Sequence, residues 1–371
     1  MNVKRENSPS IVRLLPVLDF GGVESRVVLQ SQMMGGEPFD LRVCAFWSDG
    51  EAADAIRNAG VPVDILDVDP AVRNPGATVK LAAYLRKHNP DILHASIGEA
   101  NFHGLIAGTL AQVPHRIVEE VGIPSRSDLG QFVFGHLYRL ASRVVGVSRA
   151  TCRVLRDEGA TEQQLELIYN CANPSFFEGP MPRREETPPV EFLIVGRLVE
   201  VKNQATVLRA FRRVIDDAPQ ARLRIAGEGP LRATIENLID ELGLRKNVEL
   251  LGFRDDIKSL LQESHVFLLP SHSEGCSISL VEAMSSGIVP LGSTADGIGE
   301  VMGALGEEFQ IDAADVEGWR EAMLRCATMS DDERRSIGQR AREIAFERFS
   351  PNVYIENVAT LYRDVINTSS N

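Results

Sequence analysis

The chain has 371 residues, 44% of them hydrophobic and 25% charged, with 39 Lys and Arg against 52 Asp and Glu, a net charge of -13. That length exceeds what one hydrophobic core usually serves, so two domains are expected, and the acidic balance argues against a nucleic-acid binder, which needs a basic face. Five scattered cysteines with no C-x-x-C pair, no apolar run near the roughly 18–20 residues of a membrane span, and a start unlike a signal peptide point to a cytoplasmic setting, with peripheral contact at the inner membrane face still open.

In chain order, SIVRLLPVLDF is an apolar run ending in the glycine turn Gly21-Gly22, and VESRVVLQSQMM has helical periodicity. LRVCAFW, VPVDILDV, DILHAS, HRIVEE and RVVGVS read as further strands, with GATVKLAAYLRKHN and FHGLIAGTLAQ as helices between them. This strand–helix alternation implies a parallel sheet covered on both faces. The stretch Ala172 to Pro189, rich in proline and charge, reads as an interdomain linker. The alternation then restarts. VEFLIVG, ARLRIAG, NVELLGF, HVFLLP and IVPLGS are strands, and NQATVLRAFRRVIDD and PLRATIENLIDELGL are helices. After Glu308 the chain turns mostly helical, with DVEGWREAMLRCATM, DDERRSIGQRAREIAFERF and NVYIENVATLYRDVI as candidates. The expected fold is α/β: two doubly wound Rossmann-like domains, residues 1–172 and 190–351, joined by a linker over 173–189 and facing across a cleft. Ligands of such sheets bind outside the carboxyl ends of the strands.

Candidate site residues cluster at those ends. In EGCSISLVEAMSSG, a polar loop follows a buried strand and opens a helix with Ser277 or Ser279 near its start and Gly287 as its stop. Free backbone N–H groups and the helix dipole there suit an anion, and the carboxylates of Glu274 and Glu282 beside it suit uncharged sugar hydroxyls. Together these describe a nucleotide-sugar site. Arg197 and Lys202, in the loop VGRLVEVKN, suit a diphosphate, although loop cations by themselves are often only solvated. Gly21-Gly22 sits at the matching place in the first domain, where glycine lets a backbone approach a phosphate or simply marks a turn. GEGPL and LGF are strand-end turns against which a base could pack. Asp67 and Asp69 form a D-x-D followed by Pro70, a weak metal candidate, and no Cys/His cluster suits zinc, so no metal is expected. The recognisable donor groups lie in the second domain, which leaves the first for an acceptor. Its strand ends carry His94, Asn101, His103, Glu119 and Glu120, polar groups expected to line a wet surface because burying them unpaired is costly.

Taken together, GGVE, VGRLVEVKN, GEGP, LGF, the Glu274/Glu282 pair and DGIGEV resemble the retaining glycosyltransferases of family 4, which have the GT-B fold. The wording EGCSISLVEAMSSG looks most like bacterial members that build surface or exported polysaccharide. The resemblance implies that Arg197 and Lys202 neutralise the donor diphosphate, that Glu274 contacts the transferred sugar, and that Glu282 accepts hydrogen bonds from the ribose. It further implies that backbone around Gly275, Cys276, Ser277 and Ile278 meets the donor, that Gly21 and Gly22 close onto the phosphates, and that the base lies near Phe253 and Arg254. A C-terminal helix, over 352–371, would pack back on the first domain, and Asn101 matches a family position. Many relatives carry a histidine where this chain has Val121, which puts any inherited role there in doubt.

The expected activity is hexose transfer from a nucleoside diphosphate sugar, with UDP-sugars slightly favoured, to a saccharide or lipid-linked acceptor, without a cofactor. Two rivals remain at this stage: a sugar-nucleotide epimerase on the same fold, and a nucleotide-sugar-binding module without turnover.

Overall fold

The computed structural model describes residues 8–19, 21–36, 38–179, 181 and 189–368. The chain divides into two compact units, one of Met1–Asn170 with Pro351–Asn371 and the other of Cys171–Ser350. Residues 180 and 182–188 of the expected linker, and 369–371 of the last expected helix, lie outside the described residues; Pro174–Phe177, within the linker, forms a 3-10 turn.

The first unit begins β1 (Ser10–Leu15), α1 (Gly22–Met34), β2 (Asp40–Ala45), α2 (Glu51–Asn58), β3 (Val63–Ile65) and α3 (Pro75–His88). It continues β4 (Ile92–Ser96), α4 (Gly98–Leu110), β5 (His115–Glu120), α5 (Asp128–Leu137), β6 (Arg143–Gly146), α6 (Arg149–Asp157) and β7 (Leu165–Leu167). These strands form one sheet in the order β3-β2-β1-β4-β5-β6-β7, and every pairing is parallel. The order reverses between β1 and β4, which makes that junction the switch point of the sheet.

The second unit runs β8 (Glu191–Val195), α7 (Gln204–Asp217), β9 (Arg222–Ala226), α8 (Arg232–Glu241), β10 (Val248–Gly252), α9 (Ile257–Glu263) and β11 (Val266–Leu269). It continues α10 (Ile278–Ser285), β12 (Val289–Ser293), α11 (Asp296–Met302), β13 (Gln310–Ile311), α12 (Val316–Thr328) and α13 (Asp331–Phe349). Its sheet is also parallel, ordered β10-β9-β8-β11-β12-β13, with the switch between β8 and β11. Two doubly wound α/β sheets are therefore present. Strands β11 and β12 are buried along their whole length, which is why HVFLLP and IVPLGS read as unbroken apolar runs. Local signals set several helix starts. Ser330 and Glu333 form a capping box that begins α13, and Asn74 caps α3 ahead of Pro75.

After α13 the chain rejoins the first unit as α14 (Pro351–Thr368). A polar cluster buried in that unit meets this helix. Glu119, at 2% exposure, accepts from Arg26 Nη1 at 2.6 Å, from Arg13 Nη2 at 3.2 Å and from Ser96 Oγ at 2.6 Å. Burial alone would raise the Glu119 pKa, but the two guanidiniums outweigh it and hold the carboxyl well below its ordinary range. Burial, then Arg13, keeps His94 neutral near neutral pH. Gln30 Nε2 donates to the Tyr362 hydroxyl of α14 at 2.8 Å, and that hydroxyl meets His94 Nδ1 at 2.9 Å. The Glu119 carboxylate 3.7 Å from Nε2 favours the tautomer with its proton on that nitrogen, which lets Nδ1 accept from the phenol.

Removing one partner of a buried ion pair strands the other charge. Glu119→Gln is expected to destabilise the first unit by about 3–5 kcal/mol, read as a lowered denaturation midpoint by circular dichroism. A change below about 1 kcal/mol would mean that the pair is worth no more than an exposed salt bridge.

Candidate functional site

The loops after β8 and β11 lie side by side because those strands are neighbours at the switch point of the second sheet. The β8 loop carries Arg197 and ends in a 3-10 turn over Glu200–Lys202. Asn203 follows in the left-handed region, φ 51°, and its side-chain amide donates to Pro270 O at 3.1 Å and Ala313 O at 2.7 Å. His272 N donates to Val201 O at 2.8 Å. These bonds clamp the two loops together, and they bring Lys202 Nζ to 2.5 Å from Glu274 Oε1, which also accepts from Ser271 Oγ at 2.8 Å.

Two glycines permit the close packing. Gly227, in GEGPL, has φ +146°, and a Cβ there would lie 2.0 Å from Gly196 O. A Cβ at Gly297, in DGIGEV, would lie 1.7 Å from Gly275 O and 2.3 Å from Glu274 O. Any side chain at either position would force the loops apart. The β8 loop and the loop of Gly297 thus brace the segment that carries Glu274, and the Gly227 turn braces the β8 loop in turn.

Helix α10 starts behind that segment. Its N-cap, Ser277, makes no side-chain bond to the first turn; its hydroxyl instead meets Ser279 Oγ at 3.2 Å. Cys276, at 4% exposure, and Gly275 are buried, while Ile278 is half-buried. The first-turn N–H groups therefore have no side-chain acceptor, an arrangement suited to an anion. Further along α10, the Glu282 carboxylate has no hydrogen-bond partner among the described residues, and burial pushes its pKa up to about 8. A largely desolvated lone carboxyl needs hydroxyl or N–H donors, and the described residues provide none.

The expected donor residues are distributed as follows. Arg197 is exposed, with no partner for its guanidinium among the described residues. Lys202 and Glu274, expected to hold different parts of a ligand, hold each other. Phe253, just past β10, is 68% exposed and presents a flat face, while the neighbouring Arg254 donates through Nε to Asp256 at 2.7 Å. In the first unit, Gly21 caps α1, and the Glu24 carboxylate lies against it. That helix N-terminus already has a negative group beside it.

The expectation that His94, Asn101, His103, Glu119 and Glu120 line a wet surface is corrected. All five are buried, and each has partners that offset the cost of desolvation. His94 and Glu119 belong to the cluster under α14. Asn101 Nδ2 donates to Glu119 O and Glu120 Oε1, both at 2.9 Å. Glu120 is also paired with Arg126, yet burial outweighs those partners and raises its pKa above the ordinary value. The His103 ring meets Thr78 Oγ1 at 2.7 Å and Pro70 O at 3.0 Å, so it supports the loop between β3 and α3 from below. Asp69, of the D-x-D, accepts from Ala71 N at 2.9 Å in a local turn. Among the described residues, no group of three or more His, Cys, Asp or Glu is placed to hold a metal.

Sequence reasoning missed Arg13, Arg26 and Tyr362. A charged residue inside the apolar run SIVRLL was the available signal for Arg13. It also gave no role to Asn203, the last residue of VGRLVEVKN, or to Ser271, just after HVFLLP.

The folded pKa of Glu282 is raised, so folded protein binds more protons there than unfolded chain does. Its contribution is most favourable below the unfolded pKa of 4.5 and is lost as pH rises to about 8. The melting temperature of Glu282→Gln relative to wild type should therefore rise between about pH 5 and 8 and level off above. A difference independent of pH would show that the carboxyl is not held in an apolar setting.

Comparison with known proteins bears on the family and the fold. The family model described as Glycosyltransferase Family 4 matches residues 20–176, and the one described as Glycosyl transferases group 1 matches residues 181–344. A relative from Escherichia coli K12, the putative colanic acid biosynthesis glycosyltransferase WcaL, is 26% identical over 70% of this chain and 65% of its own length. The Escherichia coli UDP-Gal:alpha-D-GlcNAc-diphosphoundecaprenol alpha-1,3-galactosyltransferase is 24% identical over 96% of both chains. Among solved structures, Anabaena Alr3699/HepE in complex with UDP and glucose superposes with a TM-score of 0.81, at 21% identity, over 96% of this chain and all of that one. With its two parallel α/β sheets and the two matched models, the chain belongs to the family 4-like glycosyltransferases of the GT-B fold.

Proposed function

We propose that the protein transfers a hexose from a nucleoside diphosphate sugar, with UDP-sugars favoured, to a saccharide or lipid-linked acceptor during synthesis of a surface or exported polysaccharide, with retention at the anomeric carbon. The observation that carries this reading is the set of groups at the β8/β11 switch point. Unpaired Arg197, the Lys202–Glu274 pair and the open start of α10 stand there together, with lone Glu282 one turn further along α10. Cations and N–H groups suit a diphosphate, while carboxylates suit hydroxyls.

The chemistry follows from that division. The anomeric C–O bond breaks, and its electron pair passes to the β-phosphate oxygen. Arg197, Lys202 and the α10 N–H groups stabilise the charge that develops there. An arriving diphosphate competes with Glu274 for Lys202, which frees the carboxylate to accept from sugar hydroxyls. The acceptor hydroxyl attacks on the face the diphosphate leaves and passes its proton to the leaving phosphate oxygen. Glu282 accepts from the ribose hydroxyls.

The relatives' names support the donor and acceptor classes, since one uses UDP-Gal and a diphosphoundecaprenol-linked sugar and a structural neighbour was solved with UDP and glucose. Among the described residues, no helix is long and apolar enough to cross a membrane. A lipid-linked acceptor would then be met from the membrane surface.

Arg197→Ala should lower turnover by roughly two to three decades, the size expected for a lost partner of transition-state charge; wild-type turnover in that variant overturns the mechanism. In calorimetry with UDP, Glu282→Ala should weaken binding and Glu274→Ala should leave it near wild type. Equal losses would contradict the division of labour between the two carboxylates. Treatment with EDTA should leave transfer intact, because protein cations hold the diphosphate. Activity lost to the chelator and restored by magnesium would refute that.

A further inference from the structure

In the first unit, the carboxyl ends of β2 and β4 flank that of β1, and each carries a residue in an uncommon backbone conformation. Ser48, just past β2, has φ 63°, and Ile97, just past β4, has φ 78°. A β-branched residue at positive φ is a genuine outlier, and such strain gathers at ligand sites. Strands about 4.8 Å apart put the ends of β2 and β4 roughly 10 Å from one another, on either side of the β1–α1 loop.

Between Ala45 and Ser48 the chain buries Phe46 and exposes Trp47. Phe46 is 0% exposed and packs on the His103 ring at 5.4 Å, while Trp47 is 50% exposed. The backbone beneath the indole is fixed on both sides: Trp47 N donates to Pro16 O at 3.0 Å, and Val68 N donates to Phe46 O at 3.0 Å. Next to it, the exposed Asp19 accepts from the Ser48 hydroxyl, and Gly50 packs against Leu18 O and Asp19. The surrounding charge is acidic. Asp49 and Asp54 accompany Asp19, and the one nearby cation they engage, Arg57, is already shared between Asp49 at 2.7 Å and Asp54 at 3.2 Å.

An amphipathic ring on a rigid backbone, bordered by carboxylates, suits a flat, uncharged, hydroxyl-rich ligand. The ring covers the C–H face, and the carboxylates accept from the hydroxyls. The same carboxylates repel a phosphate or an anionic lipid surface. We infer that Trp47 is the stacking platform for a pyranose ring of the acceptor, with Asp19 accepting from one of its hydroxyls. This rests on the transferase reading, and it moves the acceptor subsite from the buried polar residues named from sequence to the strand-end loops above them.

Trp47 and Trp319 are the only tryptophans, and Trp319 is fully buried. Acrylamide-quenchable emission of the full-length protein therefore reports on Trp47. Octyl glucoside and octyl N-acetylglucosaminide, below their micelle concentrations, serve as probes. At least one should protect the emission saturably in wild type, and neither should do so in Trp47→Phe. In transfer assays with these glycosides, Trp47→Ala should raise the acceptor KM by about tenfold or more, with donor KM and donor hydrolysis unchanged, and Trp47→Tyr should recover most of the loss. Unprotected emission with both glycosides, or a wild-type acceptor KM in Trp47→Ala, overturns the inference. Protected emission in a protein that neither hydrolyses nor transfers a donor sugar would sink the transferase reading and leave the saccharide subsite standing.

Discussion

One carboxylate organises the first unit. Glu119 lies near the end of strand β5 and is enclosed by two guanidiniums, one from β1 and one from α1. Neither Arg13 nor Arg26 could sit in that interior without it, and it could not sit there without them. The cluster also sets the state of its neighbours. Burial first, and then Arg13, keep His94 neutral, and a neutral His94 can accept from the Tyr362 phenol that Gln30 has oriented. Through this chain of bonds, the position of α14 depends on a charge balance struck between strands at the other end of the sequence. A hydrophobic contact would hold the helix as firmly but would define its rotation less sharply, because hydrogen bonds have direction and dispersion does not.

The second unit solves a different problem with different means. Its site is built from loops, and loops are held by few contacts unless something braces them. Here the braces are the Asn203 side-chain bonds to two carbonyls and the close backbone packing that glycine allows. The functional groups stay partly unsatisfied within this rigid frame. Among the described residues, Arg197 has no anion, Glu282 has no donor, and α10 has no side-chain N-cap bond. Lys202 and Glu274 provide for each other in the meantime. A site composed of opposed, separable charges holds its shape without ligand and loses little when a ligand takes over one half of the pair.

The alternation of strands and helices was legible because parallel strands buried on both faces leave apolar runs that need no context to recognise. So was the start of α10, since a polar loop after such a run has few other readings. The short pieces were less legible. Strand β7 is three residues long and β13 two, too short for any periodicity to register. Helices α2, α5 and α6 also escaped explicit assignment; α5 buries only Phe134, and so carries little of the apolar stripe that marks a helix. The polar groups of the first unit were misjudged for a definite reason. His94 and Glu119 in a sequence look like exposed groups because their partners, Arg13, Arg26 and Tyr362, lie tens to hundreds of residues away. Pairing across such distances is a property of topology, and local pattern does not contain it.

The first unit is also discontinuous. Its chain leaves at Asn170 and returns only at Pro351, and Gln30 meets Tyr362 across 332 positions. On a ribosome, the sheet of the first unit emerges early but waits for the last helix before His94 and Gln30 find their partner. The second unit, whose residues are contiguous, has everything it needs sooner. Synthesis from the N-terminus usually favours the first domain to appear; here the inserted domain is the first that can finish. The closing of α14 onto the sheet is then a late, long-range step whose entropic cost is lowered once the intervening 180 residues have compacted, because a folded insert holds its two ends within a fixed distance. The order of assembly is written into the place where the chain crosses back.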